Sequence, residues 1–311
     1  MLFFGRTRLP KGRRTFINNL PFLANTERTA LITGTSSGFG LLTTVTLARC
    51  GWRVIATMRD LARRERLEAA AREAGVLDRI EFLALDVTDN EQIAKVAAEI
   101  AARTDGGKAA RLDALVSNAG FAVGGFAEDV SDAELRKQFD TNFFGATAVV
   151  RAFLPQFRRQ RAGHILMTSS ISGRMGFPGV SSYAASKFAV EGWAETLRLE
   201  MKPLGVQVAL VEPGSFETNI WTSGSIMAKQ SLDPQSPNAA RVQRLQGRMM
   251  NGKPRANPQV VADGIAAILE NPRPRLRIVF GRDAKMGLLL KRLLPASVVE
   301  RLLIKASGIG A

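Results

Sequence analysis

Residues 29–48 read TALITGTSSGFGLLTTVTLA, and this stretch decides the fold. The short apolar run Ala30–Thr33 predicts a β-strand, and the apolar spacing that follows predicts a helix beginning at about Gly38. Thr33–Gly40 between them is a glycine-rich turn. Glycines let a backbone pass close to a phosphate group, and the free N–H groups at a helix N-terminus attract that anion. The stretch therefore predicts a dinucleotide-binding strand–turn–helix unit, although its composition also fits an ordinary strand-to-helix turn.

The composition restricts the class of protein. The chain has 311 residues, 46% hydrophobic and 23% charged, which is typical of a soluble globular protein with one large domain or two small ones. No run approaches the ~20 apolar residues of a membrane-spanning helix. The single cysteine, Cys50, excludes an internal disulfide bond and a cysteine-based metal cluster, and the single histidine, His164, excludes a histidine-rich zinc site. We therefore expect no metal.

The net charge of +15 is concentrated at the two ends of the chain. Residues 1–28 carry +5 and residues 272–311 carry +7, which leaves +3 for everything between them. A nucleic-acid-binding protein usually has a basic stripe along its folded body, so we expect no nucleic-acid partner. Solvated basic tails are the favoured interpretation, and attraction to an anionic membrane surface is the alternative.

Apolar segments alternate with segments of helical spacing up to about residue 280. The predicted strands are Ala30–Thr33, Arg53–Thr57, Ile80–Leu85, Leu112–Ser117, His164–Ser169, Val206–Glu212 and Leu276–Phe280. The predicted helices are Leu41–Cys50, Leu61–Ala74, Glu91–Arg103, Asp132–Arg159, Ser182–Met201 and Pro258–Glu270. This order predicts an α/β fold: one doubly wound Rossmann-type domain with a parallel seven-stranded sheet and helices on both faces.

The same pass predicts the organisation of the chain. We expect a basic N-terminal extension over 1–28, a catalytic domain over 29–284 and a basic amphipathic C-terminal extension over 285–311. The alternation lapses over 219–257, a polar segment of the length of a substrate lid. The apolar faces of the C-terminal extension are expected to pack on the protein, over the pocket or at a subunit interface; lying on a membrane surface is the alternative.

Three residues carry a second pattern, which points to hydride transfer. Tyr183 and Lys187 are four residues apart in a predicted helix and share one face, and Ser170 ends the preceding strand. A tyrosine can exchange a proton with an alcohol or carbonyl oxygen, and a nearby ammonium group lowers its usual pKa of ~10. The Ser170 hydroxyl can stabilise charge on the substrate oxygen. Alone, a tyrosine and a lysine on one helix are more often a surface pair.

Together these residues resemble the classical short-chain dehydrogenase/reductase family over about residues 29–280, in particular its hydroxysteroid and retinol dehydrogenase branch. The matching motifs are, in chain order, the TGxxxGxG loop with Gly34, Thr35, Ser36, Ser37, Gly38, Phe39 and Gly40, then Asp86-Val87, Asn118-Ala119-Gly120, Asn142, Ser170, Tyr183 with Lys187, and the PGxxxT segment with Pro213, Gly214, Phe216 and Thr218.

The resemblance implies roles for these residues. Tyr183 would be the acid and base, Ser170 would steady the carbonyl oxygen, and Lys187 would lower the pKa of Tyr183 and position the cofactor ribose. Asn142 would hold a water molecule in a proton relay. The Asp86-Val87 pair would hold the adenine ring, and the PGxxxT threonine would contact the nicotinamide carboxamide. The resemblance also implies a homodimer or homotetramer built through the long helices.

The end of the second strand bears on the choice of cofactor. Residues 56–60 read ATMRD, with Met58 where NAD enzymes usually place an acid, and Arg59 next to it. A guanidinium group suits the 2′-phosphate of NADP, so NADP(H) is favoured over NAD(H). Asp60 leaves the alternative open, because it could neutralise Arg59 or contact the ribose, and Ser37 in the glycine loop is not basic.

The substrate is predicted only by class. Several apolar residues fall in loops near the expected site and suggest a lipophilic alcohol, ketone or aldehyde: Phe121, Phe126, Phe177, Phe216, Ile220, Trp221 and Met227. Two other functions stay open: a sensor that binds NADP(H) without turnover, and a peripheral membrane protein acting through its basic ends. Without a convincing targeting signal, a cytoplasmic location is expected.

Overall fold

The computed structural model describes residues 28–105, 111–218, 220, 224–250 and 255–310. Its strands are β1 (Thr29–Thr33), β2 (Arg53–Met58), β3 (Ile80–Ala84), β4 (Leu112–Ser117), β5 (Ala122–Gly124), β6 (Gly163–Thr168), β7 (Val206–Pro213), β8 (Ser225–Met227) and β9 (Arg277–Phe280). Within the described residues, seven of them form one parallel sheet in the order β3-β2-β1-β4-β6-β7-β9. The short strands β5 and β8 pair separately, also in parallel.

The helices follow the predicted alternation. They are α1 (Gly38–Arg49), α2 (Glu65–Glu73), α3 (Asn90–Asp105), α4 (Asp132–Phe139), α5 (Ala146–Gln160), α6 (Ser181–Met201), α7 (Ala239–Met250), α8 (Gln259–Glu270), α9 (Arg282–Leu293) and α10 (Ala296–Ser307). The predicted doubly wound α/β fold is confirmed.

Two apolar layers hold the helices to the sheet. One face packs against α3, α5 and α6, and its core includes Phe153 and Phe157. The other face packs against α1, α2 and α8, with Trp52 in its core. Neighbouring residues of a strand alternate between the layers, so Leu31 faces the first and Ile32 the second. Truncating a buried phenylalanine such as Phe153 to alanine would cost about 3–5 kcal/mol.

The strand order places the ligand site. The chain runs outward through β1, β2 and β3, then returns to the middle and continues in the other direction from β4. At such a reversal the loops after β1 and β4 diverge and leave a crevice at the carboxyl ends of the strands. The predicted glycine loop follows β1, and Asn118 follows β4, so both lie at this crevice.

The helix predicted over Asp132–Arg159 is wrong in one respect: it is not continuous α-helix. Residues Asp140–Gly145 between α4 and α5 form a π-helical turn. A Cβ atom at Gly145 would lie 2.5 Å from the carbonyl oxygen of Val87, so the backbones approach closely here. One turn of π-helix inside an α-helix is often found at functional sites, and this one carries Asn142. Similarly, Leu61–Arg64 is a 3₁₀ turn before α2.

The structure covers the predicted N-terminal extension, the lid and the C-terminal extension to different extents. Residues 1–27 of the N-terminal extension lie outside the described residues, as does part of the predicted lid. The lid segment contains α7, which sequence periodicity did not indicate. The predicted division between 284 and 285 falls inside α9. None of the described helices is both long and apolar enough to cross a bilayer.

Candidate active site

The glycine loop passes too close to its neighbours for side chains. Gly34 has a φ of +71°, and a Cβ atom there would lie 2.7 Å from the Cα atom of Ala119. At Gly40 a Cβ atom would lie 2.3 Å from the carbonyl oxygen of Gly34. The loop therefore folds back on the first turn of α1, with backbone facing a cavity of about 970 Å³. The loop residues that line the cavity are Gly34, Ser36, Ser37, Gly38 and Phe39. The glycines and serines at the start of α1 fit a dinucleotide phosphate, because they leave room for it beside the helix N-terminus.

Asn118 joins the strand ends beneath the cavity. Its amide nitrogen Nδ2 donates to the carbonyl oxygens of Thr33 at 3.0 Å and Gly34 at 3.3 Å. The Oγ1 atom of Thr33 accepts from the backbone N–H groups of Asn118 and Ala119, at 2.9 and 3.0 Å. These four bonds hold the NAG segment against the glycine loop. They fix the shape of the crevice floor before any ligand binds.

Tyr183, Lys187 and Ser170 meet on one wall of the cavity, as predicted. Tyr183 and Lys187 come from successive turns of α6, and both are buried. Ser170 follows β6, and its side chain is hydrogen-bonded to Tyr183. The Nζ atom of Lys187 donates to the carbonyl oxygen of Thr168 at 2.7 Å and lies 5.8 Å from the centre of the Tyr183 ring.

Burial shifts the pKa values of both Tyr183 and Lys187. Burial raises the pKa of Tyr183, and the hydrogen bond from Ser170 only partly opposes this shift. The predicted lowering by Lys187 is not among these causes and stays a prediction. Burial also lowers the pKa of Lys187 to about 8, against the opposing effect of the Glu191 carboxylate. The phenol is thus a proton donor at neutral pH.

A cluster of charged side chains, some of them buried, lies beside α6 one turn beyond Lys187. Glu191 lies one turn after Lys187, and its Oε2 atom accepts from Nε of Arg277 at 2.8 Å. The same Arg277 atom is 3.6 Å from Oε1 of Glu212, which is fully buried at the end of β7. Burial and the neighbouring Glu191 carboxylate raise the pKa of Glu212 to about 7. Arg174 approaches both carboxylate oxygens of Glu212 at 3.3 Å.

Asn142 does not line the cavity with Ser170, Tyr183 and Lys187. Its Oδ1 atom accepts from the backbone N–H of Phe121 at 3.1 Å, and its Nδ2 atom donates to the Phe121 carbonyl at 2.9 Å. It also approaches Ser186 Oγ at 3.3 Å. The side chain therefore joins the π-helical turn to the loop after β4 and to α6. The water-relay role stays a prediction.

The opposite side of the crevice carries arginines. Arg59 lines the cavity, and its Nε atom lies 4.0 Å from Asp86 Oδ2. Asp60 caps the following 3₁₀ turn by accepting from the N–H of Ala62 at 2.9 Å. Arg63, which sequence reasoning missed, also lines the cavity. Its position four residues after Arg59 is the feature of the sequence that could have indicated it.

Most predicted cofactor residues line this one cavity. They are Gly34, Ser36, Ser37, Gly38, Phe39, Arg59, Asp86, Val87, Asn118, Ala119, Gly120, Tyr183, Lys187, Pro213, Gly214, Phe216 and Thr218. Two predicted residues do not line it. Thr35 is fully buried, and its side chain and backbone N–H both donate to the carbonyl oxygen of Thr57 at 3.1 Å. Gly40 packs against Gly34, so both shape the loop from behind.

The predicted apolar pocket is confirmed in part. Phe121, Phe177, Phe216 and Ile220 line the cavity. Phe126 does not: its ring packs 4.4 Å from the guanidinium carbon of Arg241. Ile226 lines the cavity where Met227 was expected, and Trp221 lies outside the described residues. Three further apolar lining residues were not predicted, namely Ile171, Met175 and Leu245, whereas Met286, Leu290 and Leu303 belong to the C-terminal extension.

The C-terminal helices close one side of the cavity. Asp283 at the start of α9 accepts from the backbone N–H of Ser215 at 2.7 Å, which ties α9 to the PGxxxT segment. Arg248 on α7 donates to the carbonyl oxygen of Lys305 at 2.7 Å, near the end of α10. Met286 and Leu290 of α9 and Leu303 of α10 line the cavity, as expected if the C-terminal extension packs over the pocket.

A model of the short-chain dehydrogenase family matches residues 28–228. The chain belongs to the short-chain dehydrogenase family. Like its relatives, this short-chain dehydrogenase is an oxidoreductase that acts on CH–OH and C=O groups. It is 41% identical over 281 residues to the uncharacterized oxidoreductase YusZ of Bacillus subtilis, covering 90% of this chain and 98% of that protein. It is 38% identical over 265 residues to human retinol dehydrogenase 8, covering 82% of each.

Solved structures agree with this assignment. A short-chain dehydrogenase from Streptomyces avermitilis matches with a TM-score of 0.74 and 33% identity, over 92% of this chain and 98% of that one. One from Burkholderia phymatum in complex with NAD has a TM-score of 0.69 and 26% identity, over 86% and 93%. An alcohol dehydrogenase from Thermococcus sibiricus complexed with 5-hydroxy-NADP shares the fold, with a TM-score of 0.65 and 23% identity over 82% and 96%. These solved structures thus include one complex with NAD and one with a derivative of NADP.

Proposed function

We propose that this short-chain dehydrogenase is an NADP(H)-dependent oxidoreductase that interconverts a hydroxyl and a carbonyl group on a lipophilic small molecule. One observation carries the proposal: a single cavity of about 970 Å³ is lined by the glycine loop, by two arginines and by the Tyr183 wall. Because β2 and β6 lie on opposite sides of β1 and β4, a cofactor spanning the crevice would extend from Arg59 to Tyr183.

The proton chemistry belongs to three side chains. A bound nicotinamide cofactor supplies or accepts the hydride. In the direction of reduction, Tyr183 donates its phenolic proton to the substrate oxygen, and Ser170 hydrogen-bonds that oxygen as negative charge develops. Lys187, as an ammonium group, stabilises the phenolate that remains. The burial of all three side chains strengthens these interactions because water does not screen them.

Two guanidinium groups support NADP(H) over NAD(H). Arg59 and Arg63 both border the cavity beyond the end of β2, whereas Met58 stands where an acid would bind a ribose hydroxyl. Asp60 is engaged as a helix cap, although it also borders the cavity. NAD(H) remains the alternative, since Asp86 lies near Arg59 and partly offsets its charge. The test is a titration of the purified protein with NADPH and NADH in parallel, followed by energy transfer from tryptophan. Tighter binding of NADH would overturn the cofactor assignment.

The lining of the cavity supports a lipophilic substrate. Met175, Phe177, Ile226, Leu290 and Leu303 border it beside the catalytic wall. Similarity to retinol dehydrogenase 8 points in the same direction, toward a long apolar molecule with a hydroxyl or carbonyl group. A suitable panel contains a retinoid aldehyde, a steroid ketone and a medium-chain aldehyde, with a short polar ketone as the control.

A homodimer or homotetramer is part of the proposal. Exposed apolar side chains on and beside the long helices support it, with Phe144 58%, Phe188 45% and Leu199 70% exposed. Light scattering on the purified protein tests it, and a monomer at micromolar concentration would contradict it. The cytoplasmic location stays a prediction.

A further inference from the structure

The outer face of the C-terminal helices is apolar and exposed. Six large apolar side chains of the described residues are exposed there: Met286, Leu289, Leu290, Leu293, Leu302 and Ile304. The four on α9 follow the spacing i, i+3, i+4, i+7, so they form one continuous stripe. The opposite face of α9 is turned to the protein, as the burial of Ala284 shows. We call this exposed stripe of α9 the outer face; Leu302 and Ile304, two residues apart on α10, lie on different sides of that helix.

The two C-terminal helices that include the outer face also carry exposed basic side chains. Lys285 and Arg292 on α9 and Arg301 and Lys305 on α10 are all exposed. A fifth, Lys291, is turned inward, where it donates to the carbonyl oxygen of Arg174. Two acids lie on these helices: Asp283 accepts a hydrogen bond from the backbone N–H of Ser215, and Glu300 on α10 is exposed. The outer face therefore combines apolar area with positive charge.

The combination of apolar area and positive charge indicates which kind of partner binds the outer face. A second copy packed on the same face through a twofold axis would bring the basic residues of both copies together, and like charges at an interface oppose association. A membrane surface containing anionic lipids complements both features, since leucines enter the acyl boundary while lysines and arginines meet the headgroups. We propose that the outer face docks on an anionic lipid bilayer.

The cavity adjoins this surface. Met286 and Leu290 both line the cavity and are 55% and 37% exposed, so they form part of its rim. A bilayer against the outer face would lie beside that rim, and a lipophilic substrate could pass between membrane and cavity with little exposure to water. This second step rests on the proposed function, whereas docking itself rests only on the exposed stripe and its charges.

Vesicle binding tests the docking without substrate or cofactor. The full chain is sedimented with vesicles of phosphatidylcholine alone or of equal parts phosphatidylcholine and phosphatidylglycerol. We expect at least about tenfold stronger partitioning into the anionic vesicles, because each basic residue near such a surface strengthens binding by about fivefold, and a decrease at high salt. Equal partitioning into both vesicle types, or none, would overturn the proposal.

Paired variants separate this face from the general positive charge of the protein. Arg292→Ala with Lys305→Ala should weaken binding by about 25-fold, whereas Arg66→Ala with Arg158→Ala, exposed residues on α2 and α5, should change it less than about twofold. If the two pairs weaken binding equally, binding reflects net charge and the assignment to the outer face is wrong.

The apolar stripe has its own test. Leu289→Ser with Leu293→Ser should weaken vesicle binding more than about tenfold, because two leucines no longer enter the bilayer, whereas Val260→Ser on α8 should leave it unchanged. None of these residues lines the cavity, so NADPH affinity is the folding control and also tests the proposed function separately. The wild-type protein could instead be a dimer that does not bind vesicles and that becomes a monomer when Leu289 and Leu293 are replaced. That result would assign the face to a second copy of the chain and overturn the proposal.

Discussion

The ammonium group of Lys187 donates a hydrogen bond to the carbonyl oxygen of Thr168 at 2.7 Å. This bond fastens the middle of α6 to the end of β6, two residues before Ser170. Because Tyr183 lies one helical turn from Lys187, the same bond fixes the position of the phenol relative to Ser170. Strand β6 and helix α6 are separate segments of the sequence, and this bond thereby holds Ser170, Tyr183 and Lys187 together.

The charge of Lys187 predicts an alkaline limit to activity. Its pKa is lowered to about 8, and a neutral amine no longer stabilises the phenolate, so kcat/KM for reduction should fall as the pH rises above about 8. Glu191 favours the ammonium form, so Glu191→Gln should move this limit to lower pH. Glu195→Gln is the matched control, because Glu195 is exposed and also bonds Arg277. If the alkaline limit of Glu191→Gln is the same as that of the wild type, Glu191 does not influence the pKa of Lys187.

Tyr183 is the only tyrosine in the chain, so its ionisation can be measured directly. Because burial raises its pKa, the phenolate absorption of the cofactor-free protein should appear only above the usual ~10. Ser170→Ala should raise the midpoint further, since the hydrogen bond that favours the phenolate is lost. A midpoint below the usual value in the cofactor-free protein would show that Lys187 governs the titration after all.

The glycine loop predicts a contrast between two glycine substitutions. Gly40→Ala places a Cβ atom 2.3 Å from the Gly34 carbonyl, which should lower the free energy of unfolding by about 1–3 kcal/mol and abolish saturable cofactor binding. Gly192 lies in the middle of α6, and a Cβ atom there would meet no atom within 4 Å apart from the backbone of its own helix, so Gly192→Ala should instead stabilise the protein by about 0.5–1 kcal/mol. Thermal unfolding and the NADPH titration measure both. Normal binding by Gly40→Ala would contradict the close approach of the loop.

Arg59 predicts selectivity between the two nicotinamide cofactors. Arg59→Ala should weaken NADPH binding by roughly tenfold or more and leave NADH binding nearly unchanged, because a charged hydrogen bond to the 2′-phosphate is lost. Arg66→Ala, an exposed arginine away from the cavity, is the control. Equal losses for both cofactors would place Arg59 elsewhere on the dinucleotide.

Much of the site could be predicted because parallel strands end at one edge of a sheet. Gly34 after β1, Asp86 after β3, Asn118 after β4 and Ser170 after β6 meet there once the strands are recognised. The apolar runs of these strands are short and unambiguous, so their bounds were predicted to within one or two residues. The four-residue spacing of Tyr183 and Lys187 then completes the wall.

The remaining features depend on packing between distant segments. Asp283 and Leu245 reach the cavity only because α9 and α7 pack beside it, and no local pattern encodes that contact. Phe126 was predicted to line the pocket because it lies in a loop close to the site in the sequence, but its ring packs against the guanidinium group of Arg241. The direction of the Tyr183 pKa shift depends on burial, which the sequence does not show.

The central claim is that this protein transfers hydride between NADPH and a lipophilic carbonyl with Tyr183 as the proton donor. The most direct measurement is the rate of NADPH oxidation with the panel of a retinoid aldehyde, a steroid ketone and a medium-chain aldehyde, for the wild type and Tyr183→Phe. We predict turnover of at least one compound by the wild type and a loss of about 10²–10⁴-fold in Tyr183→Phe, with NADPH affinity retained. Undiminished turnover by Tyr183→Phe would contradict the mechanism, and NADPH binding without turnover of any compound would favour a sensor.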